Sequence, residues 1–334
     1  MEMVVKNLEK AERLDIYLAS LNKNKSRSQW QKLAKAGAIL VNGKIATPHL
    51  SVHNDDKITV GAILNSKFQI LNSAKTSIEI LADEPDYLVI NKPSGLASDE
   101  PAGYAGASVG PILAEQFPAL KNLEYYGLVH RLDAEASGCL IVAKNESARI
   151  FLRGQFHDRH IHKFYLVLVS GHTEWEEHIA DFNIARASAG YKMAARPKNS
   201  EGKKAQTIFY TLTRGKKMYS LLLARALTGR THQIRVHAKA LGHPVAGDKI
   251  YNPSWKPGIK HNLNLSRLFL HCVGLELPWP KYGLSGNLKA LEKRFYFSSL
   301  PKELEKILTD LKISNKDINK KLASLGDEFT AVEI

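Results

Sequence analysis

The sequence predicts an α+β fold in which a small α/β module precedes a larger, strand-rich domain. Two helical patterns and one hairpin pattern fill roughly residues 11–60, whereas strand patterns dominate residues 81–281. The helical patterns between these strands do not follow the regular strand–helix alternation of a doubly wound fold. The length of 334 residues also exceeds that of most single domains, so more than one domain is expected.

The N-terminal module, residues 11–62, begins with two short helices. The segment AERLDIYLASL has the apolar spacing of an amphipathic helix, and KNKSRSQWQKLAKAG predicts a second one. Ser26 or Ser28 can cap the start of the second helix, and Gly37 can cap its end. The expected buried face of this helix consists of Trp30, Leu33 and Ala34. The segment AILVNGKIA then predicts two strands joined by an Asn-Gly turn, and DKITV predicts a further strand.

Residues 63–80 are predicted to be a linker, and residues 81–300 the larger domain. The segments DYLVINKP, CLIVAKN, HKFYLVLVSG, QTIFYTL and MYSLLLARAL predict strands, the last two as a hairpin. The segment THQIRVHAKALG instead predicts a helix that Thr231 caps and that ends at Gly242. A Lys-rich C-terminal extension, residues 301–334, is predicted to be helical and peripheral.

The excess of positive charge indicates a polyanionic partner. The chain contains 47 Lys and Arg against 33 Asp and Glu, a formal net charge of +14. Contacts with phosphates release counterions and drive nucleic-acid binding, although a basic surface can also serve solubility alone. Only two cysteines occur, and the sequence shows neither an apolar leader nor an apolar run of membrane-spanning length. We therefore expect a cytoplasmic protein without a membrane partner.

The segment GLVHRLDAEASGCLIVAKN places an acid, Asp133, between two apolar runs. Both runs, Gly127–Val129 and Cys139–Ala143, have the pattern of buried strands. Such an acid can be a simple turn former. Arg131 alternates with Asp133 on an extended chain, so a local ion pair is one interpretation. A carboxylate held near a guanidinium stays ionised, which suits a nucleophile or a general base.

Two further segments contain groups that can bind or react. In TGRTHQIRVHAKALGHPVAGD, Arg235 lies four residues after Thr231, so both can share one helix face. This helix either presents a solvated basic side or brings Arg230 and Arg235 to one acid or phosphate. In HKFYLVLVSG, Lys163 and Tyr165 share one face of the strand. Tyr165 is either a core aromatic of that strand or a platform on which a base stacks.

The histidines of QFHDRHIHKF do not have the spacing of a zinc site. His157, His160 and His162 form a His-x-x-His-x-His pattern without a fourth ligand, so we expect no metal. The chain also lacks the G-x-x-x-x-G-K-[ST], G-x-G-x-x-G and G-x-S-x-G motifs, which argues against nucleotide hydrolysis, dinucleotide chemistry and serine hydrolysis. One carboxylate among basic groups therefore indicates acid–base or covalent chemistry on an RNA-like substrate.

Several segments, in order along the chain, resemble those of the RluA class of pseudouridine synthases. HRLDAEASGCLIVAKN resembles the His-Arg-Leu-Asp signature, and YLVINKPSG, HKFYLVLVSG, GKKAQTIFYTL, LTGRTHQIRVHAKALGHPVAGDKIY and RLFLHCVGLELPWP resemble the other segments of the class. RLDIYLASLNKNKSRSQWQKLAKAGAILVNGK, residues 13–44, resembles the small RNA-binding domain of ribosomal protein S-four. The resemblance covers about residues 11–281 and implies a catalytic domain with a mixed, mainly antiparallel sheet and flanking helices.

The resemblance implies isomerisation of uridine to pseudouridine within RNA. The glycosidic nitrogen–carbon bond is cleaved, the uracil rotates, and a carbon–carbon bond to the same ribose forms, without cofactor or metal. Asp133 matches the aspartate of the class, which can attack the anomeric carbon or remove a ribose proton. The target nucleotide is expected to flip out of the RNA helix, because the reacting atoms are inaccessible in a stack.

The resemblance also assigns roles around Asp133. Arg235 matches the arginine that pairs with the aspartate, and Tyr165 matches the tyrosine that stacks on the base and is placed for proton transfer. Arg131 matches the residue that fills the space of the flipped nucleotide. The predicted substrate-binding residues are Tyr165, Arg235, Arg131, His130 and Ile234, the last on the other side of the base.

The S-four-like module is expected to bind RNA phosphates through basic side chains. The predicted RNA-binding residues are Lys25, Arg27, Lys32, Lys35 and Lys44, together with Arg230 of the larger domain. The expected partner is large-subunit ribosomal RNA, with transfer RNA as the alternative, and the expected state is a monomer.

Two departures from the pattern of the class bear on activity. Ala136 stands where the class usually has a Thr, so a hydroxyl that could brace the turn is absent, and LASDEP replaces a Val-x-His-Pro-like segment. A second hypothesis is therefore an RNA-binding or ribosome-assembly protein with a weakened or inactive synthase domain. A third, a nucleoside hydrolase, would need a second carboxylate across the sugar from Asp133, and Glu135 is too close in sequence for that.

Overall fold

The computed structural model describes residues 2–6, 8, 10–21, 27–35, 37–60, 77–99, 107–187, 192–252, 263–281, 283–284 and 290–325. The chain divides into two compact units, Met1–Ser77 with Asp99–Ile112, and Ile78–Ser98 with Leu113–Ile334. The predicted linker lies largely outside the described residues, and the predicted domain limits stay predictions. Among the helices described, none has the length and apolar character needed to cross a membrane.

The first unit contains two helices, a four-stranded antiparallel sheet in the order β1-β6-β3-β4, and a two-stranded ribbon of β2 and β5. The helices are α1 (Leu14–Leu21) and α2 (Arg27–Lys35), and the strands are β1 (Glu2–Val4), β2 (Glu12–Arg13), β3 (Ile39–Val41), β4 (Lys44–Ile45), β5 (Ser51–Val52) and β6 (Lys57–Val60). Trp30 is buried in the core of this unit with Ala34 and Leu14, and Leu33 packs against the same cluster. The predicted buried face of α2 is thereby confirmed.

The predicted hairpin of the first unit is also confirmed. Asn42 and Gly43 join β3 to β4 with φ angles of 51° and 76°, as a tight two-residue turn between antiparallel strands requires. Gly37 follows α2 with a φ of 75°, which suits a helix C-terminus. Ser26 lies outside the described residues, and Ser28 lies within α2 rather than before it.

The second unit is organised around one large sheet. Its strands are β7 (Glu79–Asp83), β8 (Tyr87–Lys92), β9 (Ser137–Ala143), β10 (His162–Ser170), β11 (Glu177–Arg186), β12 (Met193–Arg196), β13 (Lys203–Gly215), β14 (Tyr219–Ala226), β15 (Leu270–Pro280) and β16 (Leu291–Phe297). The sheet has the order β12-β11-β13-β14-β10-β15-β9-β8-β7, with β16 beside β15. In the part of the chain that is described, β9 and β15 pair in parallel and the other neighbours are antiparallel. The predicted mixed, mainly antiparallel sheet is confirmed.

Helix α3 (Val109–Gln116) includes residues of both units. The second unit also contains the helices α4 (Glu146–His157), α5 (Gln233–Ala240), α6 (Lys302–Asp310) and α7 (Asn315–Leu325). The two C-terminal helices bury Leu304, Ile307 and Ile318 in one cluster with Leu166 and Leu221 of the central strands. The C-terminal segment therefore differs from the peripheral extension that the sequence analysis expects, because its apolar side completes the main core.

Two local expectations are wrong. Gly127–Val129 is not a strand, since Gly127 ends a 3-10 segment and Leu128 forms only an isolated bridge with Val142. Helix α5 begins at Gln233 and not after a Thr231 cap. The Gln233 side chain accepts a hydrogen bond from the Arg230 backbone N–H at 3.0 Å. This contact closes residues 230–233 into a loop, so the helix begins at Gln233.

Candidate active site

Asp133 lies in a tight turn that leads directly into the central strand β9. The backbone N–H of Ala136 donates to the carbonyl of Asp133 at 3.0 Å, which closes the turn. The Asp133 side chain is 18% exposed and lies in a pocket of about 60 Å³. A carboxylate is thus presented from a rigid sheet to a small cavity, as a preorganised site requires.

Arg235 reaches Asp133 from helix α5. Its Nη1 donates to Asp133 Oδ2 at 3.2 Å, across 102 positions of sequence, and the arginine is 2% exposed. Ile234 and Val236 on either side of it are also buried, so this part of α5 is packed into the interior of the unit. This contact uses Oδ2, and the Asp133 side chain also lines the pocket, so the carboxylate is placed to meet a substrate.

Asp248, which the sequence analysis does not identify, fixes the orientation of Arg235. It accepts from Nε and Nη2 of the arginine at 2.7 and 2.9 Å, a bidentate pair. Burial acts to raise the pKa of Asp248, but Arg235 and the backbone N–H groups of Tyr251 and Ile250 hold it below its ordinary value. The side chain is fully buried, so this pair is inaccessible to solvent.

The pocket at Asp133 has an aromatic and an aliphatic wall. Tyr165 of β10 and Ile234 of α5 both line it, and each is largely buried. Burial raises the pKa of Tyr165 well above its ordinary value, and the charge of Asp133 acts in the same direction. The phenol is therefore neutral near pH 7 and can both donate and accept a hydrogen bond. Arg131 is exposed and lies at the same pocket.

The end of β8 and the residues after it bind the carbonyl groups of the turn that contains Asp133. Lys92 donates through Nζ to the Ala134 carbonyl at 3.2 Å, and the Gly95 backbone N–H donates to the same oxygen at 2.7 Å. Ser94 Oγ donates to the Glu135 carbonyl at 2.7 Å. These contacts hold the backbone of the turn from outside, at a position where Ala136 has no hydroxyl.

Lys92 is a second site residue that the sequence analysis does not identify. It is fully buried and also donates to the carbonyls of Pro93 and Leu96. Burial and the charge of Arg267 together lower the pKa of Lys92 to about 7, although the charge of Asp133 acts in the opposite direction. A lysine at the end of an apolar strand, directly before a proline, is the one signal in the sequence that could have indicated it.

The structure places the remaining predicted residues as follows. Arg230 lines the Asp133 pocket and donates through Nε to the Lys204 carbonyl at 3.1 Å, whereas His130 lines an adjoining groove. In the first unit Lys44 is exposed, and Arg27 pairs with Asp15 at 2.8 Å. Lys25 and the side chains of Lys32 and Lys35 lie outside what the structure describes.

The histidines of the QFHDRHIHKF segment have separate protein partners. His157 contacts Asp158, His160 contacts Gln155, and His162 contacts Glu276. Within the described residues, no group of three or more His, Cys, Asp or Glu side chains could hold a metal ion.

The comparisons with known proteins agree with this geometry. Residues 86–240 match the RNA pseudouridylate synthase family, and residues 12–58 match the S4 domain. The chain is 33% identical over 292 residues to the ribosomal large subunit pseudouridine synthase C of Buchnera aphidicola subsp. Acyrthosiphon pisum (strain APS), covering 84% of this chain and 90% of that protein. It is 36% identical over 245 residues to an RNA pseudouridine synthase of Aquifex aeolicus (strain VF5), covering 72% and 77%.

A further relative is the ribosomal large subunit pseudouridine synthase D of Zymomonas mobilis subsp. mobilis (strain ATCC 31821 / ZM4 / CP4), 30% identical over 313 residues, with 91% of this chain and 95% of that protein covered. Among solved structures, human RNA pseudouridylate synthase domain containing 1 matches with a TM-score of 0.51 and 26% identity, covering 72% of this chain and 97% of that one. The chain belongs to the RluA-class RNA pseudouridine synthases that have an N-terminal S4 domain.

Proposed function

We propose that this enzyme converts a uridine of large-subunit ribosomal RNA to pseudouridine, with the target base flipped into the Asp133 pocket. Two of the relatives named above are ribosomal large subunit pseudouridine synthases, which supports the choice of RNA. The observation that carries the proposed chemistry is the placement of Asp133, which pairs with Arg235 at 3.2 Å and lines the pocket.

The proposed reaction assigns a task to each wall of this pocket. Asp133 acts on the ribose, either by attack on the anomeric carbon or by removal of a ribose proton, and both routes need an ionised carboxylate. Arg235 compensates the charge of Asp133 through Nη1. Tyr165 stacks on the uracil with Ile234 on the opposite side, and its neutral hydroxyl is available for proton transfer during the rotation of the base.

Base flipping accounts for the position of the carboxylate. Because Asp133 is only 18% exposed, a ribose within an intact RNA helix could not approach it closely. A nucleotide turned out of the helix can enter the pocket, and exposed Arg131 at the same pocket can fill the space that it leaves. The transfer-RNA alternative would use the same chemistry on a different RNA.

The Asp133→Asn variant tests the chemistry and the target together. We expect the wild type to form pseudouridine at a discrete position of an unmodified large-subunit ribosomal RNA transcript, mapped by carbodiimide-stop sequencing. The rate should fall by at least about 10³-fold in the variant, because an amide is a far weaker nucleophile and base than a carboxylate. Filter binding provides the control, since the variant should keep its affinity for the transcript.

Each other outcome points to a specific alternative. Modification of transfer RNA but not of ribosomal RNA would overturn the proposed target. Release of free uracil would indicate a hydrolase. Binding without any modification would favour a ribosome-assembly protein with an inactive synthase domain.

A further inference from the structure

A strongly basic groove adjoins the Asp133 pocket. It has a volume of about 440 Å³ and shares Arg131, Lys163 and Arg230 with that pocket. Its lining residues, all within the part of the chain that is described, include no Asp or Glu. The basic side chains that line it are Arg131, Arg153, His157, Arg159, Lys163 and Arg230. Such a groove, of one sign of charge, favours an anionic ligand.

Lys163 lies at the boundary between the pocket and the groove, and its charge is not compensated. The residue is 7% exposed, and among the described residues its ammonium forms no hydrogen bond or ion pair. Its Nζ lies 5.7 Å from the centre of the Phe156 ring. A Cβ at position 229 would lie 3.4 Å from Nζ, so Gly229 leaves the space beside the ammonium open. Buried charges are normally paired, and the partner of this one is therefore expected from outside the protein.

His130 supplies a second donor without a partner in the same groove. Its Nε2 accepts a hydrogen bond from the Ile141 backbone N–H at 3.0 Å, so in the neutral imidazole the proton is on Nδ1. This Nδ1 is buried and has no hydrogen-bond partner within the described residues. The His130 ring lies 4.5 Å from the ring of Phe156, the same ring that Lys163 contacts. An ammonium and an imidazole N–H thus lie beside one aromatic ring.

We propose that Lys163 and His130 bind a phosphodiester group of the RNA strand next to the target uridine. This inference rests on the proposed function, because it needs the uridine to enter the adjoining pocket. A phosphate has a full charge and several acceptor oxygens, so it can compensate the ammonium and accept hydrogen bonds from more than one donor, whereas a base carbonyl has no charge to offer. Contacts of this kind fix the position of the strand while the pocket selects the base.

The position of Lys163 indicates which nucleotide this phosphate contact would hold. Lys163 and Tyr165 lie on the same face of β10, and both line the Asp133 pocket. A phosphate held by Lys163 therefore fixes the backbone of the nucleotide whose base stacks on Tyr165. The energy of this contact would help to hold the flipped nucleotide out of the helix.

The decisive variant is Lys163→Met, which removes the charge and keeps an unbranched side chain. We expect its Kd for the unmodified large-subunit ribosomal RNA transcript to rise at least about 10-fold at low salt. The slope of log Kd against log salt should become shallower by about 0.7–0.9, the value for one lost phosphate contact. Lys163→Arg should restore the slope. The control, Lys320→Met, removes an exposed lysine of α7 and should change Kd less than about twofold.

Thermal unfolding separates ligand binding from a structural role. Because Lys163 has no counter-ion among the described residues, its removal should not lower the melting temperature and is expected to raise it by about 2–4 °C. A lower melting temperature together with an unchanged salt slope would assign Lys163 to stability and overturn the proposed site.

A measurement on the wild type does not depend on any variant. Uridine 3′,5′-bisphosphate should shift the ¹⁵N-histidine NMR signal of the His130 Nδ1–H, whereas uridine without phosphates should not. The absence of a shift would contradict the proposed site.

If the wild type modifies the transcript but Lys163→Met keeps the wild-type Kd and salt slope, the phosphate site is refuted and the proposed function stands. If no pseudouridine forms but the slope still depends on Lys163, the proposed function is refuted and Lys163 remains a contact to an RNA phosphate.

Discussion

Arg235 has one positive charge and three carboxylates around it, and the geometry gives these carboxylates different tasks. Asp248 accepts hydrogen bonds from Nε and Nη2 at 2.7 and 2.9 Å, and Asp133 accepts one from Nη1 at 3.2 Å. Glu135 lies 4.0 Å from Nη2. The planar guanidinium can hold one bidentate partner and still direct a further N–H elsewhere. Asp248 therefore fixes the arginine, and the arginine in turn fixes Asp133.

We expect Asp248→Asn to destabilise the protein by about 3 kcal/mol, because Arg235 would stay buried without its main counter-charge. The rate of pseudouridine formation should also fall, since Arg235 would no longer be held toward Asp133. Urea unfolding with comparable m-values measures the loss of stability.

The matched control is Glu135→Gln, which removes a carboxylate from the same guanidinium. Glu135 is 35% exposed and 4.0 Å away, so its loss should cost less than about 1 kcal/mol. Equal losses in the two variants would show that Asp248 has no special part in fixing Arg235.

At the scale of the element, the entry of β9 into the sheet determines where the turn that contains Asp133 lies. Gly138 has a φ of 109°, and a Cβ there would lie 2.2 Å from the carbonyl oxygen of Cys272. Cys272 is the residue with which Gly138 pairs across the parallel strands β9 and β15. The close approach of these two backbones therefore places the turn that contains Asp133.

Gly138→Ala is expected to destabilise the protein by at least about 3 kcal/mol, because a methyl group and the Cys272 carbonyl cannot occupy the same space. Gly95→Ala is the matched control, since Gly95 also has a positive φ, of 88°, but open space around its Cβ position. Its cost should be about 1 kcal/mol, from the backbone conformation alone. Thermal unfolding of both variants measures the difference, and similar melting temperatures would contradict this account of the β9–β15 contact.

The elements differ in how well the sequence predicts them, and the difference has a physical cause. Apolar runs such as CLIVAKN predict strands because the signal is local and the core uses it directly. The start of α5 is decided instead by the Gln233 side chain, which bonds to the Arg230 backbone and to Gln206 and Thr207 of a distant strand. A cap residue such as Thr231 is only a local preference, and these tertiary contacts override it.

The site residues also differ in whether a local signal or a tertiary contact defines them. Asp133 is recognisable from its immediate neighbours, because a carboxylate in an apolar setting is unusual in itself. Asp248 and Lys92 gain their roles from partners 13 and 42 positions away. The segment TGRTHQIRVHAKALGHPVAGD contains both Arg235 and Asp248, but only the fold shows that the two side chains pair. Lys163 shares a strand face with Tyr165 in the sequence, but only the fold shows that its charge lacks a partner among the described residues.

At the scale of the whole molecule, the second unit depends on histidines that are buried in neutral form. Burial lowers the pKa of His237 and of His271 to about 4 each, and lowers that of His130 well below its ordinary value. His271 joins β15 to β9 and to the residue after β16, since it hydrogen bonds Ser137 Oγ at 2.9 Å and the Ser298 carbonyl at 3.1 Å. Protonation of these rings is therefore coupled to the stability of the sheet as a unit.

The free energy of unfolding should fall as the pH decreases from 6.5 to 5. In this window the histidines of the unfolded chain, with pKa values near 6.5, bind protons that the buried rings reject, so acid favours unfolding. His237 and His271 should each lower the free energy of unfolding by on the order of 2 kcal/mol by pH 5. Buried Glu276 does not contribute in this window. Its contacts with His162 and Lys293 lower its pKa to about 2 against the effect of burial, so its contribution is lost only below about pH 4.5. Urea unfolding across this window measures the slope of the unfolding free energy against pH. The slope should decrease in His237→Asn and stay unchanged in His157→Asn, because His157 is 88% exposed. A stability that is constant or increases toward pH 5 would contradict the neutral burial of these rings.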